Sequence, residues 1–152
     1  MEKTDRKILE ILQADADITN ARLAEQVHLS PSSCLRRVQK LKEQGVIART
    51  VALLDQEKLG RDLTVIVDVV LERHGAEDQR DFIRTVKGEP AITQAFLVTG
   101  DVDVVLFMTL TGMKEYQALC DRLFHHDRNV LRYRTLFSMD HFKNETALPI
   151  PV

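Results

Sequence analysis

The spacing of apolar residues changes along this chain from a helical to a strand-like pattern. In the first third, apolar residues recur every three or four positions, which predicts three short helices. Thr4 is the predicted N-cap of the first helix and Thr19 that of the second. After residue 62, short runs rich in β-branched residues alternate with amphipathic stretches. The pattern predicts an α+β chain with a helical N-terminal part.

A tight turn is indicated between the second and third predicted helices. His28 and Leu29 make this turn, and Ser30 followed by Pro31 then starts a helix with a capping hydroxyl and a proline. Gly45 stands in the usual position of a C-terminal glycine. Two helices in this arrangement are typical of a helix-turn-helix, whose second helix enters the major groove of DNA.

The second part of the chain predicts a ferredoxin-like domain, with elements in the order β-α-β-β-α-β. Gly100 and Asp101 separate its two central strands, which suits a two-residue hairpin turn. The predicted strands cover residues 63–71, 92–99, 102–110 and 130–139, and the predicted helices cover residues 76–87 and 114–124.

Three segments follow from these patterns. We assign residues 1–50 to a helix-turn-helix DNA-binding domain, residues 51–62 to a connecting strand and linker, and residues 63–152 to the ferredoxin-like domain. A strand over residues 46–54 is expected to leave the first domain. Residues 140–150 are expected to add an edge strand or to reach a partner as an arm.

The predicted strands of the second domain are apolar on both faces. Because successive side chains of a strand point to opposite sides, an unbroken apolar run covers both. A sheet of this kind needs a second cover besides its own helices, and a second copy of the chain would supply one. We therefore expect a homodimer, which suits a DNA reader with two half-sites. The two sets of side chains are Ile66, Val70, Val105 and Phe107 on one face and Val65, Val67, Val104 and Leu106 on the other.

Composition fits a folded chain without a membrane span. Apolar residues make up 44% and charged residues 29%, and no apolar run reaches the roughly 18 residues that a membrane helix needs. The charged, amphipathic N-terminus does not resemble a signal peptide, so a cytoplasmic location is expected. Cys34 and Cys120 are expected to be buried thiols rather than a disulfide framework.

Positive charge is concentrated around the third predicted helix, although the net charge is −2. Residues 28–49 hold five lysines and arginines against one acidic residue, Glu43. A helix with hydroxyl groups at its start and cations beyond can meet both base edges and phosphates. The alternative is that these cations only solubilise a surface helix.

The two halves together resemble the Lrp/AsnC, or feast/famine, family of transcription regulators. The front half carries the resemblance in DRKILEILQADADITNARLAEQVHLSPSSCLRRVQKLKEQGVI, and the second half in VTGDVDVVL, which is similar to the family's glycine–aspartate hairpin. The resemblance implies a second domain that dimerises and binds a small effector, usually an amino acid. It also implies dimers that assemble further, often to octamers, with the effector between dimers.

Two departures from the family pattern matter. His28 stands where the family commonly has glycine, so left-handed backbone strain is expected there. Val102 and Val104 stand where many members carry aromatic residues, which leaves the identity of the effector open.

The candidate DNA-binding site lies on the third helix. Adjacent arginines diverge by about 100° on a helix, so one of Arg36 and Arg37 is expected to have a role inside the domain. Arg37 matches the family's more regular arginine, and the resemblance implies that it ties the helix to its own domain. Arg36 is then the preferred residue for base contact. The full candidate set for double-stranded DNA is Ser30, Ser32, Ser33, Arg36, Arg37 and Lys40.

The candidate effector site lies around the predicted hairpin. A plain tight turn explains Gly100 and Asp101, but not Asp103, whose carboxylate interrupts an apolar strand and needs a donor. An effector ammonium or backbone N–H groups at an interface are the two candidate donors. The full candidate set, partly implied by the resemblance, is Leu97, Thr99, Gly100, Asp101, Asp103, Met113, Leu136 and Ser138.

Other functions are less favoured by the sequence. His125, His126 and Asp127 suggest a metal site, but adjacent side chains at a helix end diverge, so favourable cations at a helix C-terminus are the preferred interpretation. No nucleophile–base pair or phosphate loop indicates an enzyme, and no cofactor is expected. A ligand-responsive transcription regulator is the favoured function, and an architectural DNA-binding protein that needs no effector is the alternative.

Overall fold

The computed structural model describes residues 1–73, 75–125 and 129–151. The chain divides into two compact units, Met1–Leu53 with Phe142–Val152 and Leu54–His141. The first unit is helical, and the second contains a four-stranded sheet with helices. The fold is therefore α+β, as predicted.

Three helices make the first unit: α1 (Lys3–Ala14), α2 (Asn20–Gln26) and α3 (Pro31–Glu43). Thr19 caps α2, since its side chain accepts from the N–H of Arg22 at 3.3 Å. The predicted cap at Thr4 is wrong, because α1 begins at Lys3 and Glu2 is its N-cap, without a side-chain hydrogen bond. The buried core comprises Ile8, Leu9, Leu23, Ala24, Val27, Cys34 and Leu41.

The turn between α2 and α3 has the left-handed residue that the sequence predicted. His28 has φ of 55°. The N–H of Leu29 donates to the carbonyl of Ala24 at 2.9 Å, and the N–H of His28 to that of Glu25 at 3.2 Å. This pair of bonds is the Schellman motif, which ends a helix and usually places glycine where His28 stands.

Backbone strain at His28 predicts how this turn responds to substitution. Valine at position 28 should lower the free energy of unfolding by about 1–2 kcal/mol, because a β-branched side chain is poorly tolerated at positive φ. Asparagine, which tolerates this region, is the matched control and should leave the free energy nearly unchanged. Urea unfolding of both variants measures the difference. Equal destabilisation by the two substitutions would contradict the strain argument.

The predicted strand over residues 46–54 is wrong. In the described chain these residues form no strand, and Val51, Leu53 and Leu54 are exposed. The local pattern has β propensity, but a strand also needs a neighbouring strand for its N–H and C=O groups. The sheet of this chain provides none for this segment.

The second unit has the predicted order β-α-β-β-α-β. Its antiparallel strands lie in the order β2-β3-β1-β4, so β2 and β4 are the edges. The predicted second helix is shorter than expected, because its last turn, Asp121–His125, is a π-helix. The elements are β1 (Leu63–Leu71), α4 (Ala76–Lys87), β2 (Ile92–Leu97), β3 (Val104–Leu110), α5 (Met113–Cys120) and β4 (Val130–Phe137).

One face of the sheet is buried beneath helical side chains and the other is partly exposed. Val65, Val67 and Leu106 are fully buried, whereas Ile66 and Phe107, their neighbours along the strands, are only partly buried. The sequence prediction of an apolar outer face is confirmed. A feature that it missed is the ion pair between Asp68 and Arg134 on that face, which gives a charged partner to Asp68, a residue only 8% exposed.

The C-terminal segment packs on the helical unit, whereas the sequence analysis assigned it to the second domain. The side chain of Gln13 in α1 clamps the backbone of Leu148: its Nε2 donates to the carbonyl at 3.1 Å, and its Oε1 accepts from the N–H at 2.7 Å. Ile150 then packs against the helical core. The described residues of the segment form no strand.

Both cysteines are buried free thiols, as predicted. Burial raises the pKa of Cys34 and of Cys120 above the ordinary value of 9.0. Burial, followed by a hydrogen bond with Cys120, raises the pKa of Tyr116 to about 12. All three groups are therefore held in the protonated form at pH values where they would ionise in an unfolded chain.

This difference predicts a loss of stability in alkali. Above the ordinary thiol pKa of 9.0, the unfolded chain gives up protons that the folded chain keeps, so the free energy of unfolding should fall as pH rises. Urea unfolding at a series of pH values up to about 10.5 measures the slope. Cys120→Ala, which removes one such group, should give a shallower slope. A free energy that stays constant over this range would contradict the assignment.

Candidate DNA-binding helix and effector-binding loop

Helix α3 is fixed to its own unit at its start. Ser30 caps it, since its Oγ accepts from the N–H of Ser33 at 3.3 Å. The side chain of Asn20 in α2 donates to the carbonyl of Pro31 at 2.8 Å. Ala24 of α2 is buried, as expected where two helices approach closely. The cap thus closes the first turn of α3, and the hydrogen bond from Asn20 holds that turn against α2.

The hydroxyl groups at the start of α3 also bond to one another. Ser30 Oγ lies 3.3 Å from Ser32 Oγ and donates to Ser33 Oγ at 2.9 Å. Ser30 and Ser32 are exposed, and Ser33 is partly buried. Of the three predicted serines, Ser30 and Ser32 are therefore open to an incoming phosphate or base edge.

The two adjacent arginines of α3 have different surroundings. Arg37 Nη1 donates to Asp5 Oδ1 at 2.8 Å, and Arg37 Nη2 lies 2.8 Å from Glu2 Oε2. These carboxylates, Asp5 first, raise the pKa of the Arg37 guanidinium. The prediction that Arg37 ties α3 to its own domain is confirmed. Arg36 is exposed and makes no ion pair with any described residue, so its donors are open to a partner.

The hairpin between β2 and β3 is longer than predicted. The N–H of Val98 donates to the carbonyl of Asp103 at 2.9 Å, which leaves four residues rather than two in the loop. Gly100 has φ of 121°, a conformation that favours glycine. The predicted two-residue turn is wrong, because β2 already ends at Leu97 and β3 begins only at Val104. Thr99, Gly100 and Asp101 form the exposed tip of this loop.

Asp103 has a donor within the chain. Its Oδ2 accepts from the N–H of Leu71 at 2.7 Å, and its own N–H donates to the carbonyl of Val69 at 2.9 Å. The carboxylate thus accepts a hydrogen bond from the last N–H group of β1, at the point where the pairing of β1 with β4 shifts register. The sequence analysis considered an effector ammonium or an interface N–H group as the donor to Asp103. The structure shows a backbone N–H donor, and it belongs to the same chain.

The predicted effector residues lie at opposite ends of the sheet. Leu97 and Asp103 flank the hairpin, where β1 ends and β4 begins. Leu136 and Ser138 lie at the far end, because β4 runs antiparallel to β1, and Met113 follows the far end of β3. One chain does not bring the predicted set together.

A groove that the sequence analysis missed lies beside β2. It has a volume of about 430 Å³ and runs between α4 and the edge strand. Leu97 lies at one end and is 57% exposed. Ile83 and Val86 of α4 line it beside β2, which the strand order places at the edge of the sheet. Its lining also includes Phe82, Ile92, Ala95, Phe96 and Val104.

His125 is held by side chains of its own surroundings. Its Nδ1 lies 2.8 Å from Asp121 Oδ1, and its Nε2 lies 3.0 Å from Tyr133 Oη. His126 and Asp127 lie outside the described residues. Within the ranges that the structure describes, no three His, Cys, Asp or Glu side chains come together as a metal site.

Comparisons with known proteins support both halves. Residues 1–48 match the winged helix-turn-helix DNA-binding family, and residues 64–148 match the Lrp/AsnC ligand binding domain. The chain belongs to the Lrp/AsnC family. Members of this family are transcriptional regulators, so the protein is a DNA-binding transcriptional regulator with a ligand-binding domain.

Individual Lrp/AsnC proteins are similar over nearly the whole chain. The DNA-binding transcriptional activator DecR of Escherichia coli is 31% identical over 150 residues, covering 99% of both chains. The crystal structure of an AsnC family regulator from Agrobacterium tumefaciens is 36% identical with a TM-score of 0.93, covering 98% of this chain and 97% of that one.

A third relative carries a ligand. The transcriptional regulator of Neisseria meningitidis, solved as an L-Met complex, is 32% identical with a TM-score of 0.93, covering 98% of this chain and 96% of that one.

Among the described helices of the present Lrp/AsnC regulator, none is both long and apolar enough to cross a membrane.

Proposed function

We propose that this Lrp/AsnC regulator binds specific DNA operators through α3 and that an amino acid changes its assembly or its affinity for DNA. The observation that carries the DNA-binding part is the different use of two adjacent arginines. Arg37 bonds to Asp5 and Glu2, whereas Arg36 remains exposed with its guanidinium available for guanine. Ser30, Ser32, Ser33 and Lys40 surround it as the candidate phosphate and base contacts.

The effector part is supported by the similar regulator that was solved with L-Met. In this chain the exposed tip at Thr99, Gly100 and Asp101 offers backbone N–H groups to a carboxylate. Because Met113, Leu136 and Ser138 lie at the other end of the sheet, a pocket that includes them requires a second protomer. An effector bound in such a shared pocket would necessarily be linked to assembly.

We propose that a homodimer is the unit that binds DNA and that dimers assemble further to octamers. The partly exposed outer face, with Ile66, Val105 and Phe107, supports a second copy as its cover. Two protomers would present two copies of α3 to two half-sites.

The test is a screen of the twenty amino acids by thermal shift, followed by DNA binding with and without each hit. We expect a rise in melting temperature with at least one amino acid and a changed affinity for a selected operator. Selection of no preferred sequence, a steep salt dependence and no effect of any amino acid would instead indicate an architectural DNA-binding protein.

A further inference from the structure

Helix α3 presents an unexplained apolar side chain to solvent. Leu35 is 47% exposed, although the unit has a core on the other side of the same helix at Cys34 and Leu41. A single exposed leucine on a protein surface is ordinary and indicates nothing alone. Its neighbours on the helix surface give it a meaning.

An exposed stripe runs along α3 through Leu35. Ser32, Leu35, Arg36 and Gln39 are all exposed, and they follow the spacing i, i+3, i+4 and i+7. At about 100° per residue, the four side chains lie within an arc of about 100°. Arg37, turned away from this arc, contacts the carboxylates of α1 instead.

Cations lie on both sides of this stripe. On the same helical geometry, the exposed residues Lys40 and Lys42 lie about 40° and 20° beyond its two edges. A central stripe of neutral and guanidinium groups between two lysines matches a major groove, whose base edges lie between two phosphate backbones. Glu43, in the last turn of α3, limits the stripe at the end farther from the capping serines.

We propose that Leu35 and Gln39 read bases beside Arg36, Leu35 through the methyl group of a thymine and Gln39 through the N6 and N7 edge of an adenine. Apolar side chains recognise the thymine methyl, and the amide of glutamine matches adenine bidentately. The assignment rests on the proposed DNA-binding function and extends it to the class of base that each position selects. It predicts half-sites that contain a guanine flanked by A·T pairs.

The experiment begins with selection of preferred duplexes from a random library by the full-length protein. The same selection with Leu35→Ala should lose the preference for one thymine, and with Gln39→Ala the preference for one adenine. Lys42→Ala is the matched control on the same helix, and it should weaken binding to all sequences alike without changing any base preference. All three residues are exposed, and circular dichroism checks that each variant keeps its helices.

Modified bases then isolate the individual contacts. Replacing the thymine by deoxyuridine removes only its methyl group and should weaken wild-type binding by about fourfold, the effect of one methyl group. Leu35→Ala should bind both duplexes equally. Replacing the adenine by 7-deazaadenine removes the N7 acceptor and should weaken wild-type binding but not binding by Gln39→Ala.

The outcomes separate the two levels of the proposal. A wild-type protein that selects no sequence would contradict the proposed regulator function itself. A wild-type protein that selects an operator, together with variants that keep every base preference, would overturn the assignment of Leu35 and Gln39 alone. The assignment is supported if Leu35→Ala loses the preference for one thymine and Gln39→Ala loses the preference for one adenine.

Discussion

Arg36→Ala should weaken binding to a selected operator by about tenfold to a hundredfold, the discrimination expected of one bidentate arginine–guanine contact. The guanidinium is exposed and makes no ion pair with a described residue, so its removal leaves no unpaired charge inside the protein. Binding to unrelated DNA should fall much less, because phosphate contacts supply most of that affinity. Gel-shift titration against the operator and against a duplex with the guanine replaced measures both effects.

Arg37→Ala is the informative comparison for this variant. Loss of the Arg37 guanidinium removes the ion pairs with Asp5 and Glu2, so the thermal stability of the helical unit should fall. The base preference should stay the same. Arg36→Ala should show the opposite combination, with an altered preference and unchanged stability. Unchanged operator affinity in Arg36→Ala would defeat the assignment of this residue as a base reader.

Asp103→Ala should lower the free energy of unfolding by about 1–3 kcal/mol, the cost of leaving a partly buried N–H without its acceptor. The N–H in question is that of Leu71, which donates to Asp103 Oδ2 at 2.7 Å. Urea unfolding measures this loss. The value tests the structural role that the carboxylate has at the end of β1.

Asp103→Asn separates this structural role from an effector contact. The amide oxygen of asparagine can still accept from Leu71, so stability should be largely kept, whereas the negative charge is gone. Isothermal titration with an amino acid identified in the thermal-shift screen then reports on the ligand. If the carboxylate holds the effector ammonium, Asp103→Asn should bind it much more weakly than wild type. Full retention of binding by both variants would exclude Asp103 as an effector contact.

Sequence alone predicted the elements whose cause is local. The first strand, 63–71, and the helix 76–87 agree with the structure at both ends. The helix has a clear helical period, the strand is a run rich in β-branched residues, and each is followed closely by residues that end it. The cap at Thr19 and the left-handed turn at His28 are likewise decided within a few residues of chain.

Features that depend on distant partners were harder to predict. The strand expected over 46–54 is absent from the described chain because β propensity cannot provide a neighbouring strand. The donor to Asp103 comes from Leu71, thirty-two positions earlier in the chain, which no local pattern indicates. The spread of the effector candidates over two ends of the sheet follows from strand directions, which become decisive only once the topology is known.

The contact between Gln13 and Leu148 has a consequence for the order in which the chain matures. The helical unit combines residues that precede the second unit in the chain with residues that follow it. During synthesis, Gln13 of α1 therefore cannot bond to Leu148 until the whole second unit has been made. Ile150 likewise joins the helical core only after that unit. A nascent regulator that stops short of residue 148 would lack both the hydrogen bonds to Gln13 and the packing of Ile150 on the helical core.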